Sequence, residues 1–181
     1  DLCLVGSEMC IRDRHNGLNA MFTYMNVARI GTASQGVSAA DRSYQGASAY
    51  ARDRLAMRSI SGVKNPDGPA DAIIEHPDVR RMLLTQRAIA EGGRAMVTYA
   101  SQFADIYRAG KTESAKKMAE ERLGFCTPIL KGFITELGVE AANHGVQVFG
   151  GHGYIKEWGM EQILRDSPVS YTHLTLPTMV Q

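Results

Sequence analysis

No stretch of this 181-residue chain is apolar over anything like the roughly 20 residues that a bilayer span requires. It also lacks a dominant charge. Twenty Lys and Arg against 19 Asp and Glu leave a net charge of +1, which gives no electrostatic ground for a nucleic-acid partner or a membrane surface. Cysteine is scarce: Cys3, Cys10 and Cys126 have neither metal-ligand spacing nor an obvious pairing. That usage requires no metal, is compatible with a reducing compartment, and leads to an expected cytoplasmic location. The five histidines show no ligand spacing, no glycine-rich loop precedes a helix in the dinucleotide or P-loop manner, and no Ser/His/Asp set is visible. What is present is 44% hydrophobic and 22% charged, an ordinary globular composition sufficient for one domain with a core.

The two ends differ from the rest. Residues 1–14, DLCLVGSEMCIRDR, have no sustained periodicity, and the tail 168–181, PVSYTHLTLPTMVQ, turns abruptly to Thr, Pro and β-branched residues. Both resemble translated sequencing-adapter read-through, and such scars are set aside in fold reasoning. The alternative is a natural disordered arm and a natural short strand. The expected natural fragment is 15–167.

From Gly17 the pattern is helical, with Leu18, Met21, Phe22 and Met25 at three- and four-residue spacing on one face. Gly36, Ala39, Ala40, Ser43, Gly46 and Ala47 form a narrow stripe that would let a neighbouring helix approach closely. With no proline before Met57, about 40 residues at ~1.5 Å each predict a rod near 60 Å, a length that belongs to bundles. SGVKNPDGP (61–69) is a loop by composition. Pro77 and Asp78 mark a second helix start. Its apolar positions are Val79, Met82, Leu83, Ile89, Met96, Val97, Phe103 and Tyr107, and it stops near Gly110. A third helix starts at 112–114 and runs toward Phe149. Its apolar face is Met118, Leu123, Ile129, Leu130, Phe133, Ile134, Leu137 and Val148, and Pro128 is expected to kink or interrupt it. No strand-like alternation competes. The expected fold is an all-α up-and-down bundle of three long helices with the fourth missing.

Three glycines in four positions follow Phe149: Gly150-Gly151-His152-Gly153. Glycine permits a sharp turn and close approach of a ligand to the backbone, although a helix stopped by glycines can also be a plain C-cap. The stretch 147–154, QVFGGHGY, with Arg165-Asp166 beyond it, resembles the adenosine-binding turn in the C-terminal domain of flavin-dependent acyl-CoA dehydrogenases. Three further matches carry the same resemblance across residues 16–166. GLNAMF with Met25-Asn26-Val27-Ala28-Arg29 resembles that domain's first helix, and YARDRLAM (50–57) resembles the stretch whose arginine reaches the pyrophosphate of FAD. The NPDGPAD loop and the HPDVRRMLL start resemble the branch that acts on 3-methylthiopropanoyl-CoA.

The resemblance implies FAD as cofactor, contacted by Arg54, Leu55 and Ala56 and by Gln147, Val148, Phe149, Gly150 and Gly151. It implies acyl-CoA contact at Asn26, Val27, Ala28 and Arg29. Structurally, Asn26 and Arg29 could instead be polar positions on an exposed face, with Val27 packed. For Arg54 the chemistry is apt, since a guanidinium's planar fork stays charged and binds two phosphate oxygens. The alternative is a cation complementing the helix dipole, a role open to Arg52 or Arg58 as well. Leu55, Ala56 and Met57 stand where many relatives have lysine, threonine and phenylalanine, which puts hydroxyl contact and flavin stacking there in doubt. A helix C-terminus repels phosphate but accepts hydrogen bonds from ribose or the adenine amine, so phosphate falls to Arg54.

In the family these contacts reach the FAD of a neighbouring subunit. The further implications are therefore a homo-oligomer, with electron-transfer flavoprotein as electron acceptor. No catalytic residue is assigned. The family's glutamate base follows the Arg-Asp motif by about a dozen residues or stands at the position of Ala28, and neither is present, so the fragment is expected to be inactive. Two other readings are a DNA-associated flavoprotein of the alkylation-response type, which would call for a basic surface, and a non-catalytic interaction bundle.

Overall fold

A computed structural model describes residues 17–175, and of 17–20, 22, 23 and 169–175 the backbone only. Helices α1 (Gly17–Asp53), α2 (Pro77–Ala109), α3 (Glu113–Phe149) and α4 (Met160–Thr175) make up the described chain, with short 3₁₀ turns at Ile73–Glu75, Gly150–Tyr154 and Lys156–Trp158. It is an all-α bundle of three long helices, as the periodicity predicts. Pro77 opens α2 at its first turn, and the Thr112 hydroxyl caps α3 by accepting the Ala115 N–H at 3.2 Å.

The stripe of small residues does what its shape allows. A Cβ on Gly36 would lie 2.7 Å from the Ile134 carbonyl oxygen, and one on Gly138 would lie 2.9 Å from the Gly36 backbone, so α1 and α3 meet main chain to main chain. Ser43, fully buried, donates to the Ala141 carbonyl at 3.0 Å. Contacts advance together along α1 and α3, from Asn26 beside Thr127 to Tyr50 beside Phe149, so these two run parallel. Arg94 meets Asp41 and Gln86 meets Ser43, so α2 runs antiparallel to both. The core lies in three layers along this rod. Ile30, Leu123 and Ile134 are at one end, Ala40, Ile89 and Ala141 at the waist, and Leu83, Val146 and Phe149 at the other end.

Several expectations change. α1 stops at Asp53 rather than continuing toward Met57, because the chain from Arg54 turns to pair with a returning segment: Leu55 and Ala72 form an antiparallel bridge. A pairing that short leaves no periodicity to read. Pro128 does not interrupt α3, whose flanking residues Leu123, Thr127, Leu130 and Ile134 are all buried against the bundle. Beside it the Thr127 hydroxyl donates to the Leu123 carbonyl at 2.8 Å. Met96, Met118, Ile129 and Phe133, expected in the core, are exposed together with Phe125. A wider apolar stripe exists on these helices than three helices can cover. Of the first helix's apolar set, Met21 is exposed, Met25 is half-buried, and Leu18 and Phe22 have no described side chains.

The three long helices do not complete the bundle. The shorter α4 follows them and lies against α3 and α1. Its Met160 is buried where Gly46 and Gly145 leave room, and Ile163 and Leu164 continue the same face. It passes the composition break at Pro168, which lies inside it. Residues 1–14 lie outside the described chain, as do 176–181.

Candidate functional site

Gly150 ends α3 with φ +57° and ψ −132°, a backbone region that a Cβ closes to other residues, while its N–H still bonds the Gln147 carbonyl. Gly153 is needed for space, since a Cβ there would lie 2.4 Å from the Val146 carbonyl oxygen. Gly151 meets neither demand and is exposed on the wall of a cleft.

That cleft, of about 400 Å³, is lined by Tyr50, Arg54, Ala56, Ile73 and residues 147–152. Seven of the eight residues expected to contact a cofactor therefore meet here: Arg54, Ala56, Gln147, Val148, Phe149, Gly150 and Gly151. Leu55 does not line it, because successive side chains on an extended segment point to opposite sides. A Cβ on Gly150 or Gly151 would touch nothing within 4 Å, so the two glycines leave the cleft floor open. The end of α3 gives this floor a negative field, and Arg54 faces it with a positive charge. Arg52 lies elsewhere, in a hollow shared with Tyr44, Glu75, Arg80 and Arg87. Arg58 is held in the loop, donating to the Asn65 and Gly68 carbonyls at 2.7 and 2.6 Å. Of the three arginines near the end of α1, Arg54 is the one on the cleft.

Sequence reasoning did not single out Tyr50, Ile73 or His152. Tyr50 stacks on Phe149 at a centroid distance of 4.1 Å, and its hydroxyl pairs with His152 Nδ1 at 2.8 Å. His152 in turn stacks on Trp158 at 5.3 Å. Together with Arg54 these rings divide the cleft from a second hollow lined by Gly46, Ala49, Asp53 and Trp158. Tyr50 was findable, since it stands four residues before Arg54, one helical turn back. Ile73 left no signal, because only the loop's return brings it there.

The Arg54–Ala56 wall is fixed by main-chain bonds. Ala56 N–H donates to Asp71 O at 3.0 Å, Ile73 N–H to Arg54 O at 2.9 Å, and His76 Nε2 lies 2.9 Å from Ala56 O.

Asn26, Val27, Ala28 and Arg29 are not part of this cleft. They lie toward the other end of α1, roughly 35 Å away at ~1.5 Å per residue. Arg29 is 8% exposed and Val27 50%, the reverse of a polar outer face with a packed valine. Asn26 Oδ1 accepts from Arg29 Nη1 at 3.4 Å and lies 3.2 Å from the Thr127 hydroxyl oxygen, while Arg29 Nε has no partner among the described residues. Lys131 is buried near by. Burial pushes its ammonium down to about 8, and the Arg29 charge adds to the effect. Among the described residues no His, Cys, Asp and Glu cluster could hold a metal ion, and no helix is long and apolar enough to cross a membrane.

The family model for the acyl-CoA dehydrogenase C-terminal domain matches residues 15–172. The chain belongs to that family. It is 43% identical over 166 residues to 3-methylmercaptopropionyl-CoA dehydrogenase of Ruegeria pomeroyi, a match covering 92% of this chain and 26% of that protein. It is 30% identical over 156 residues to a butyryl-CoA dehydrogenase of Syntrophomonas wolfei, covering 86% of this chain and 25% of that one. The chain thus spans about a quarter of the length of these curated relatives. Among solved structures, Caenorhabditis elegans ACDH-11, crystallised in complex with C11-CoA, shares the fold with a TM-score of 0.73 at 21% identity. That likeness covers 87% of this chain and 24% of ACDH-11.

Proposed function

We propose that this chain is the FAD- and acyl-CoA-binding helical domain of a dehydrogenase that introduces an α,β double bond into an acyl-CoA thioester. The preferred substrate is 3-methylthiopropanoyl-CoA, in keeping with the name of the 43%-identical relative. One observation carries the reading: residues from the end of α1 and the end of α3 line a single cleft, with one arginine facing a helix C-terminus across it.

The division of labour follows from charge. The carbonyl end of α3 and the exposed Gly150-Gly151 backbone accept hydrogen bonds from an adenosine moiety, and Arg54 binds the diphosphate through its planar fork. The flavin supplies a hydride acceptor when bound. At the far end of α1, Asn26 and Arg29 orient the acyl-CoA. The roughly 35 Å between the two patches supports a homo-oligomer in which each chain's cleft serves the cofactor of a neighbouring subunit. Electron-transfer flavoprotein is the proposed electron acceptor, and the cytoplasm the proposed location. Position 28 is alanine, and Glu157 and Glu161 follow the glycine turn at the far end of the bundle from Asn26, so none of these three is a base for the α-proton.

The test is FAD binding followed by the fluorescence of Trp158, the sole tryptophan, which lies against the cleft's aromatic wall. Arg54→Ala should weaken binding about 10- to 100-fold, the scale of one charge-assisted contact. Arg52→Ala should leave it within about twofold, since Arg52 faces a different hollow. Equal loss from both would reduce Arg54 to a helix-terminal charge and remove the basis for the reading.

A further inference from the structure

We infer that Asp71 is a positioning residue for the cleft: its buried carboxylate holds the Arg54–Ala56 wall where Arg54 can meet a diphosphate. The inference rests on the reading of the cleft proposed above.

The loop joining α1 to α2 is long and, apart from the turn at Ile73–Glu75, without regular structure, so ordering it has a large entropic cost. A single side chain gathers it. Asp71 is fully buried, and its carboxylate accepts the N–H groups of Ser59 at 2.8 Å, Lys64 at 3.0 Å and Asn65 at 2.7 Å, with the Arg58 guanidinium at 3.4 Å. These bonds, that from Ser59 foremost, hold the carboxyl down to about 2.

The main chain of the same residue faces the wall. Asp71 N–H donates to Met57 O at 2.9 Å, and Asp71 O accepts from Ala56 N–H at 3.0 Å. One residue further on, Ala72 forms the bridge with Leu55. The carboxylate thus organises the loop and the backbone organises the wall, with no intervening residue through which slack could enter. Where wall becomes loop, Met57 takes φ +62°, a left-handed conformation that a non-glycine residue keeps only when its surroundings impose it. A carboxylate needed only to close the loop has no reason to pair its own backbone with the segment carrying Arg54.

The experiment is a titration of the whole chain with adenosine and with ADP, again followed by Trp158 fluorescence. The wild type should bind ADP about tenfold or more tightly than adenosine, because Arg54 meets the diphosphate. Asp71→Asn should reduce that ratio to about threefold or less while leaving adenosine affinity unchanged, because the glycine turn on α3 is untouched. Combined with Arg54→Ala, it should lower the ratio no further than Arg54→Ala alone, since both changes remove the same contact. Arg58→Ala, at a partly exposed position, should shift the ratio in the same direction by less. It decides the matter if Asp71→Asn does not fold, and an unchanged ratio then overturns the inference. Loss of adenosine and ADP binding in equal measure would make Asp71 merely structural and also overturn it. A wild-type ratio kept in Asp71→Asn but lost in Arg54→Ala would sink this inference alone. Absence of any ADP preference in the wild type would sink the reading of the cleft and this inference with it.

Discussion

Two buried ionisable residues make contributions to stability that rise with pH, in separate windows and for different reasons. Lys131 is destabilised as a cation, chiefly by burial and then by Arg29, and its folded value of about 8 lies below the unfolded 10.5. Between those values the unfolded chain binds more protons, so the contribution of this group to stability rises as pH is raised from about 8 to 10.5. Thermal melts across that range should show the rise, and Lys131→Met should remove it. Asp71 is shifted in the same direction, but because hydrogen bonds favour its charged form rather than because burial penalises it. With a folded value of about 2 against 3.8 unfolded, its contribution is complete above the unfolded value and disappears as pH falls through the folded one. The protection of the amides of Ser59, Lys64 and Asn65 against hydrogen exchange, taken relative to the intrinsic rate at each pH, should therefore be high at neutral pH and fall on acidification between about 4 and 2. In Asp71→Asn it should be low throughout. Neither behaviour was legible from residue type, because a lysine or an aspartate in a sequence carries no record of its desolvation or of its hydrogen-bond donors.

At the scale of the elements, the crossing of α1 and α3 at Gly36 and Gly138 sets the geometry of the bundle. A methyl group on Gly36 meets backbone, not a side chain that could move aside. Gly36→Ala should cost about 1–3 kcal/mol despite the helix propensity it gains, measurable as a lowered denaturation midpoint. Gly92→Ala makes the contrast: nothing lies within 4 Å of its Cβ, so it should be neutral or stabilising by up to ~1 kcal/mol. The stripe of small residues was visible in the sequence, but which helix it faced was not. The start of α3 at 112–114, the proline entry to α2 and the glycine exit of α3 were all legible, because each is a local device of a few residues. The wall from Arg54 to Ala56 was not, because it is paired with a segment beyond a long loop and has too few residues to show a period.

For the molecule as a whole, the separation of the Asn26–Arg29 patch from the cleft governs what one chain can do alone. Supplied with FAD and 3-methylthiopropanoyl-CoA, the chain should bind ligand without bleaching the flavin, since Ala28 has no proton acceptor and Glu157 and Glu161 are remote from Asn26. Substrate-dependent loss of flavin absorbance in a spectrophotometer would overturn that expectation and place a base within this chain. The exposed faces of Phe125, Ile129 and Phe133 on α3 carry a second consequence. Burying apolar surface is worth about 25 cal/mol per Å², so the isolated chain should self-associate with rising concentration. Sedimentation velocity checks this, and a sharp monomer boundary at all concentrations would contradict it.

Periodicity, composition and punctuation by Pro, Thr and Gly determined the helical class, three long helices and where two of them end, because these depend on contacts within a few residues along the chain. The glycine turn after Phe149 was marked as a place where a ligand could lie close to the backbone, and the arginine at the end of α1 only through the family resemblance. Only the tertiary structure decided that they share one cleft. It also set Arg54 apart from Arg52 and Arg58, and buried Arg29 while exposing Val27. The physical reason is that α1 and α3 run parallel and meet through two glycines. That brings their C-terminal ends together, and no spacing within either helix records it.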